Sequence, residues 1–418
     1  MKNNIIIISL AVFVICAGLG CASESNTKPT KRYVITEFGA VGDGQTLNTE
    51  AIQSAIDKCS ADGGGILVVP KGTFLTGSIF FKRAVDLYLE KEGILKGTVN
   101  PDDYPQIDTR WEGEERIWTA ALVNFFDMNN VNLTGEGTID GSGDQWMQRY
   151  PRGSRELNTG RPRLIAFQSC RNVTVSDLSF KNQACWCLFI LYSENVNVVN
   201  LTIRAEHNII SSDGIDVDSS RKVHITGCDI DVNDDCIAIK SGKDEDGLRV
   251  NRPAEDILIE KCMFRYGHGG VSMGSEMSGG IRNVEIRNCV MEEDNWAPIR
   301  FKSQPSRGGV VENITYRDIK LKDTRKAFEF NMAWRMVNPK PPSDPLPIVR
   351  NVKIINVSGT TKNVGDMHGL KDSPIKNVIF ENCKIKAQRG FVLEYVEDID
   401  LSGLTIEVKE GEAIVRKK

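Results

Sequence analysis

Residues 195–203 read Asn-Val-Asn-Val-Val-Asn-Leu-Thr-Ile. Apolar side chains alternate with polar ones, two polar positions interrupt them, and Leu-Thr-Ile resumes the alternation. That is a strand with one buried face, a turn, and a second short strand. The phrase recurs as NVNLTGEGTI from Asn130, NVTVSDLSF from Asn172, KVHITGCDI from Lys222 and DILIEKCMF from Asp256. It continues as NVEIRNCVM from Asn283 and NITYRDIKL from Asn313, with further copies from Asn351, Asn377 and Asp398. Steps of about 21 to 42 residues between copies suit solenoid coils with loops of unequal length. A helix would not alternate Val and Ile with polar residues or turn so often. Parallel coils stacked at about 4.8 Å per rung would bury the apolar positions as continuous ladders. The expected fold is all-β, a right-handed parallel β-helix, its hand following the general preference of parallel crossovers.

The flanking sequence completes that picture. Ala51, Ile52, Ala55, Ile56 and Cys59 have helical spacing, which predicts a short N-terminal helix over Thr49–Cys59 capping the open end of the solenoid. Cys228, Cys262, Cys289 and Cys383 take the seventh position of the phrase, where other copies carry Leu201, Ile319 or Val357. They are expected to be free thiols in the core. No pair of CxxC motifs and no His/Cys cluster suggests zinc, so no metal or cofactor is expected.

Of 418 residues, 40% are hydrophobic and 26% charged, with a net charge of −4. Without a basic excess, nucleic acid is excluded as the expected partner. Lys2 and the apolar run Ile5–Leu19, ending in AGLGC, resemble a bacterial lipoprotein signal. The expected organisation is a signal over 1–20, a linker over 21–30 and a single catalytic domain over 31–418. Membrane contact is expected only through a lipid on Cys21, in a monomeric periplasmic, outer-membrane or cell-surface protein. Gly18 stands where that pattern prefers leucine, so cleavage and release is the alternative.

A second strand follows the repeated phrase. Aligned on Ile215, Ile237, Val271, Ile299 and Phe328, its outward slots form two columns. One holds Asp216, Ala238, Ser272, Arg300 and Glu329, and the other Asp218, Lys240, Gly274, Lys302 and Asn331. Just before the anchors stand Asp213, the pair Asp234-Asp235, and His268 between glycines. The stretch VNDDCIAIKSG (232–242) therefore opens one rung of a charged wall, with residues far apart in sequence brought together on it.

At these positions the chain resembles the polygalacturonase family, glycoside hydrolase family 28, within the pectin-lyase-like solenoids. The family blocks Asn-Thr-Asp, Asp-Asp, Gly-His-Gly and Arg-Ile-Lys read here Ser211-Ser212-Asp213, Asp234-Asp235, Gly267-His268-Gly269 and Arg300-Phe301-Lys302. The family tyrosine after the basic block has no clear match. Ala327 and Phe328 stand near its place, and Tyr316 lies on another strand. The resemblance implies an inverting hydrolase that cleaves galacturonic acid linkages in pectin without a cofactor; exo action is expected from the candidate cleft walls named below. By the same resemblance Asp234 is the general acid, and Asp213 and Asp235 position and deprotonate the water. His268 would support the acid, and Arg300 and Lys302 would bind the substrate carboxylate. An inverting mechanism asks for a splayed arrangement of acid and base, since one rung separates backbones by only about 4.8 Å. Two alternatives stand beside this reading. One is a calcium-dependent pectate lyase with the aspartates as ligands, the other a non-catalytic carbohydrate-binding β-helix. Trp111, Trp118, Trp146, Trp334 and the proline-rich Trp334–Pro347 insertion are candidate walls of the cleft.

Overall fold

The computed structural model describes residues 31–150, 160–292, 295–334 and 340–417. The signal, the linker and Cys21 lie outside the described residues, as does part of the Trp334–Pro347 insertion.

Every copy of the repeated phrase becomes a strand of one thirteen-stranded parallel sheet. The reason lies in its first residue. Asn130, Asn172, Asn195, Lys222, Asp256, Asn283, Asn313, Asn351, Asn377 and Asp398 all have φ between +52° and +59°. Asn and Asp are the non-glycine residues that enter this left-handed region most readily, because a short polar side chain bonds locally. Here the side chains also bond along the stack. Asn195 donates its amide to Asn172 at 2.7 Å, Asn172 to Asn130 at 3.0 Å, and Asn377 to Asn351 at 2.8 Å. The turn residue that the strand pattern requires is therefore also a ladder joining one rung to the next.

The remaining strands build the other faces, parallel throughout except for a hairpin described below. Between the faces runs a long apolar core. Val196, Val198 and Leu201 of the opening phrase are buried in it with their counterparts from other rungs. Cys228, Cys262, Cys289 and Cys383 are buried free thiols, as expected from their ladder position. The expected helix spans Thr49–Ala61 and turns Ile52, Ala55, Ile56 and Cys59 into the core. Phe301, in place of the family isoleucine, stacks on Phe330 at a centroid distance of 4.2 Å.

The asparagine ladder makes a stability prediction. Asn351→Ala keeps the left-handed φ but loses the amide bonds, and should cost about 1–2 kcal/mol. Asn351→Gly, free of the steric cost, should lose less. Urea midpoints of the three proteins check this, and equal losses would remove the conformational role.

Candidate active site

Ile215, Ile237, Val271, Ile299 and Phe328 stand in register on successive parallel strands. The strands are Ile215–Asp218, Asp235–Lys240, Gly267–Gly274, Asn295–Lys302 and Lys320–Asn331. This is the register expected from sequence, and it brings all six candidate residues onto one wall. Gly214 donates its N–H to the Asp235 carbonyl at 3.0 Å, and His268 donates its N–H to the Asp234 carbonyl at 3.0 Å. Ser212 accepts the Asn233 N–H at 3.1 Å, so the segments that carry Asp213 and the Asp234-Asp235 pair are tied together.

Asp213, Asp234 and Asp235 each present an oxygen within 4.8 Å of the other two. The nearest oxygens of the triad are this close because Asp234 and Asp235 adjoin in sequence and Asp213 stands on the adjacent rung. Two like charges at 4 Å repel by about 4 kcal/mol at an effective dielectric of 20. The surrounding cations decide which carboxyls ionise. Lys302 Nζ lies 2.5 Å from Asp235 Oδ2, and Arg300 Nη1 lies 3.3 Å from Oδ1. Ser272 donates its hydroxyl to Oδ1 at 2.8 Å. Burial of Asp235 opposes ionisation, but Lys302 and Arg300 outweigh it and hold its carboxyl far below the usual range. Burial likewise opposes ionisation of Asp234, while the bond to His268 keeps it lowered. The Nδ1 of His268 is 3.4 Å from Asp234 Oδ1, and this contact raises the imidazole above its ordinary value. Asp213 is different. Burial first, then Asp216 and Asp234, push its carboxyl well above the ordinary range. In the free protein Asp213 is therefore the member of the triad that holds a proton most tightly.

Arg300 and Lys302 stand ready for a carboxylate but are turned onto Asp235. Arg300 is shared with Glu329, its Nε 2.7 Å from Oε2. Glu329 was visible in the column after Arg300 but carried no signal to rank it. The same is true of Lys240 and Asp216. Buried Lys240 sits 3.0 Å from Asp216, 3.6 Å from Asp213 and 3.9 Å from Glu276, with its Nζ 3.7 Å from the centre of the Trp186 ring. Trp186 lies one rung before Asp213, outside the aligned strands, so sequence alone did not suggest it.

A hairpin closes the wall at this end. Gln106–Trp111 pairs antiparallel with Glu114–Thr119. Arg110 reaches down to Asp218 at 2.7 Å and to the hydroxyls of Ser219 and Tyr192 at 2.8 and 2.5 Å. At the tip, Gly113 has φ +81°, and its carbonyl accepts the Lys243 N–H at 3.0 Å. A Cβ there would stand 2.8 Å from that nitrogen, so the close approach requires glycine. Trp111 stacks between Trp118 and Trp186 at 4.5 and 4.7 Å. The candidate wall residues thus divide. Trp111 and Trp118 belong to the closing hairpin, whereas Trp146 is buried against Tyr104 in the core. Trp334 lies beside the basic block, 5.3 Å from Lys302 Nζ. Ala327 and Phe328 are core residues, and Tyr316 is buried with its hydroxyl on the Val271 carbonyl. None of the three offers the family tyrosine's side chain to the cleft.

The Lys302–Asp235 contact predicts a pH-dependent loss. Lys302→Met leaves Asp235 buried with one partner fewer and should cost about 3 kcal/mol at pH 7. A depressed carboxyl stabilises the fold above its unfolded pKa and loses that contribution as pH falls. The gap between variant and wild type should therefore hold from pH 7 down to the ordinary carboxylate range, about pH 4, and narrow only below it, as pH falls towards the depressed value of Asp235. Denaturation at several pH values measures it, and a gap that stays constant below that range would contradict the assignment.

Residues 59–402 match the family described as Glycosyl hydrolases family 28. A probable polygalacturonase of Vitis vinifera is 35% identical over 70% of this chain, and the chain spans only 61% of that relative's length. An exo-poly-alpha-D-galacturonosidase of Dickeya chrysanthemi is 27% identical over 92% of the chain and 73% of its own. The crystal structure of a hyperthermoactive exopolygalacturonase from Thermotoga maritima superposes with a TM-score of 0.81 at 31% identity. It covers 93% of this chain and 92% of its own. Parallel rungs, four ordered blocks on one wall and a matched span over most of the chain agree: this protein belongs to glycosyl hydrolase family 28.

Proposed function

We propose that this family 28 enzyme removes galacturonic acid units from the end of a galacturonan chain, with inversion at the anomeric carbon. The observation that carries the reading is the carboxylate triad set against Arg300 and Lys302. Together these supply an acid, a base and a seat for a uronate carboxylate. The hairpin over Asp218 and Trp186 supports exo action, since it closes the wall beside Asp213. On the other side of Lys302, a groove of about 750 Å³ continues past Asn331, Trp334, Asp366 and His368.

In this mechanism the substrate carboxylate draws Arg300 and Lys302 away from Asp235. The cluster then gains a negative charge while its own cations are shared, so its carboxyls all hold protons more tightly. Asp234, lowered in the free protein, is thereby made able to carry the proton for the leaving oxygen. His268 beside it restores that proton. Asp235, the carboxylate its cations hold ionised, takes the proton of the attacking water, and Asp213 beside it helps to position that water. A calcium-dependent lyase is less well supported, because a divalent ion would need the Asp235 oxygens that Lys302 and Arg300 already occupy. We further propose an exported protein anchored through Cys21, on the strength of the apolar run and AGLGC. Incorporation of labelled fatty acid that persists in Cys21→Ser would overturn the anchor.

Asp234→Asn should bind substrate yet lose several orders of magnitude in turnover, because an amide cannot deliver the proton. It should recover proportionally more rate on a substrate with an activated leaving group than Asp213→Asn or Asp235→Asn do. Selective recovery in Asp213→Asn would instead make Asp213 the acid. In the wild-type reaction, NMR should first show the product anomer opposite in configuration to the cleaved linkage, and monomer as the early product. Retention or a spread of oligomers would overturn inversion or exo action respectively.

A further inference from the structure

The wall that holds the acid carries a feature used by none of these roles. Asp234 and His268 belong to one column, three residues before Ile237 and Val271. The next member is Trp296, three residues before Ile299. Gly267 pairs with Asn295 and Gly269 with Ala297, so His268 and Trp296 are direct neighbours on adjacent rungs. Around Trp296 nearly everything on the strand is buried, including Asn295, Ala297, Ile299 and Phe301. Trp296 itself is 40% exposed. The Arg325 guanidinium lies 5.3 Å from its ring centre, a cation–π contact that holds the indole in place without covering it. A large aromatic face is thus left in water one rung from a histidine whose side chain is 49% exposed.

Its place in the cleft gives that face a role. The hairpin closes the wall on the Asp213 side, and the column of Asp234, His268 and Trp296 continues from it towards later rungs. A chain with its end at the closed side must run out over His268 and Trp296. Trp296 stands two rungs, roughly 10 Å, along the axis from the acid. That is past the sugar bonded to the scissile oxygen and level with the next one. A pyranose ring presents a flat face of C–H groups, which an indole receives by burying apolar area that hydrogen bonds to water cannot satisfy.

We propose that Trp296 is the stacking platform for the second sugar unit on the leaving side of the scissile bond. It makes the enzyme favour oligomers of three or more units over the dimer. The proposal rests on the galacturonan-cleaving reading above and deepens it. The platform binds a sugar ring and Arg300 and Lys302 bind a carboxylate, so the two recognise different parts of the chain.

The test uses binding, so that it does not depend on turnover. Digalacturonate and trigalacturonate are titrated calorimetrically into Asp234→Asn, and into the same protein carrying Trp296→Ala or Trp296→Phe. Trp296→Ala should weaken trimer binding roughly 5–10-fold while changing the dimer less than twofold, and Trp296→Phe should restore most of the loss. In the otherwise wild-type enzyme the same variant should raise KM on trimer and polymer with little change in kcat. An equal loss for both lengths, or none for the trimer, would overturn the platform while leaving the hydrolase reading intact. Failure of the parent protein to bind either oligomer would overturn both.

Discussion

The site depends on one constraint: parallel rungs stacked in register, at a spacing the backbone hydrogen bonds leave no freedom to change. In most folds, side chains far apart in sequence meet through packing that tolerates small shifts. Here the meeting is dictated by the ladder. Once Ile215 pairs with Ile237 and Ile237 with Val271, the residues before them must converge. A slip of one residue would turn Asp213 or the Asp234-Asp235 pair out of the cluster and an apolar side chain into water. The apolar core that selects the register therefore also assembles the chemistry. The left-handed asparagines make the same register specific at the turns, since each bonds its counterpart one rung away.

Close stacking has an electrostatic cost that shapes everything around it. Three carboxylates on adjacent rungs cannot all be charged without counter-charge, and the protein distributes its cations unequally. Asp235 takes Lys302 and Arg300, Asp234 takes His268, and Asp213 receives only a share of Lys240. Unequal compensation separates the affinities of three chemically identical groups, which is what acid–base division of labour requires. The cations best placed to neutralise Asp235 are also those best placed to bind a uronate. Substrate binding and proton affinity of the cluster are thereby linked through the same two side chains.

What surrounds the rungs gives the wall its ends. The hairpin from Gln106 to Thr119 is anchored by a buried arginine and an aromatic stack, so it is a rigid part of the cleft. Its Arg110 holds Asp218, which is wholly buried. An outward strand face that would otherwise be solvated becomes a closed interior there. This separates a charged pocket beside Asp213 from an open groove on the side of Trp334.

Much of this was legible before any coordinates. Period-two alternation and the recurring turn determined the solenoid, because a buried strand face admits few other patterns. Aligning the strands on their buried residues placed Asp213, Asp234, Asp235, His268, Arg300 and Lys302 together, since register in a parallel stack is a property of the sequence itself. The seventh-position cysteines were assigned to the core on the same basis. Other features needed the folded chain. Trp146 and Trp111 look alike in sequence, yet one fills the core and the other closes the cleft, because the destination of a loop is not encoded in a local period. Lys240 and Glu329 stood in the outward columns, but only the hairpin and the neighbouring carboxylates turn an outward slot into a buried ion pair. The chain's own repeat thus determined which residues share a wall. Only the tertiary structure decided which of them are desolvated, and desolvation sets where the protons reside.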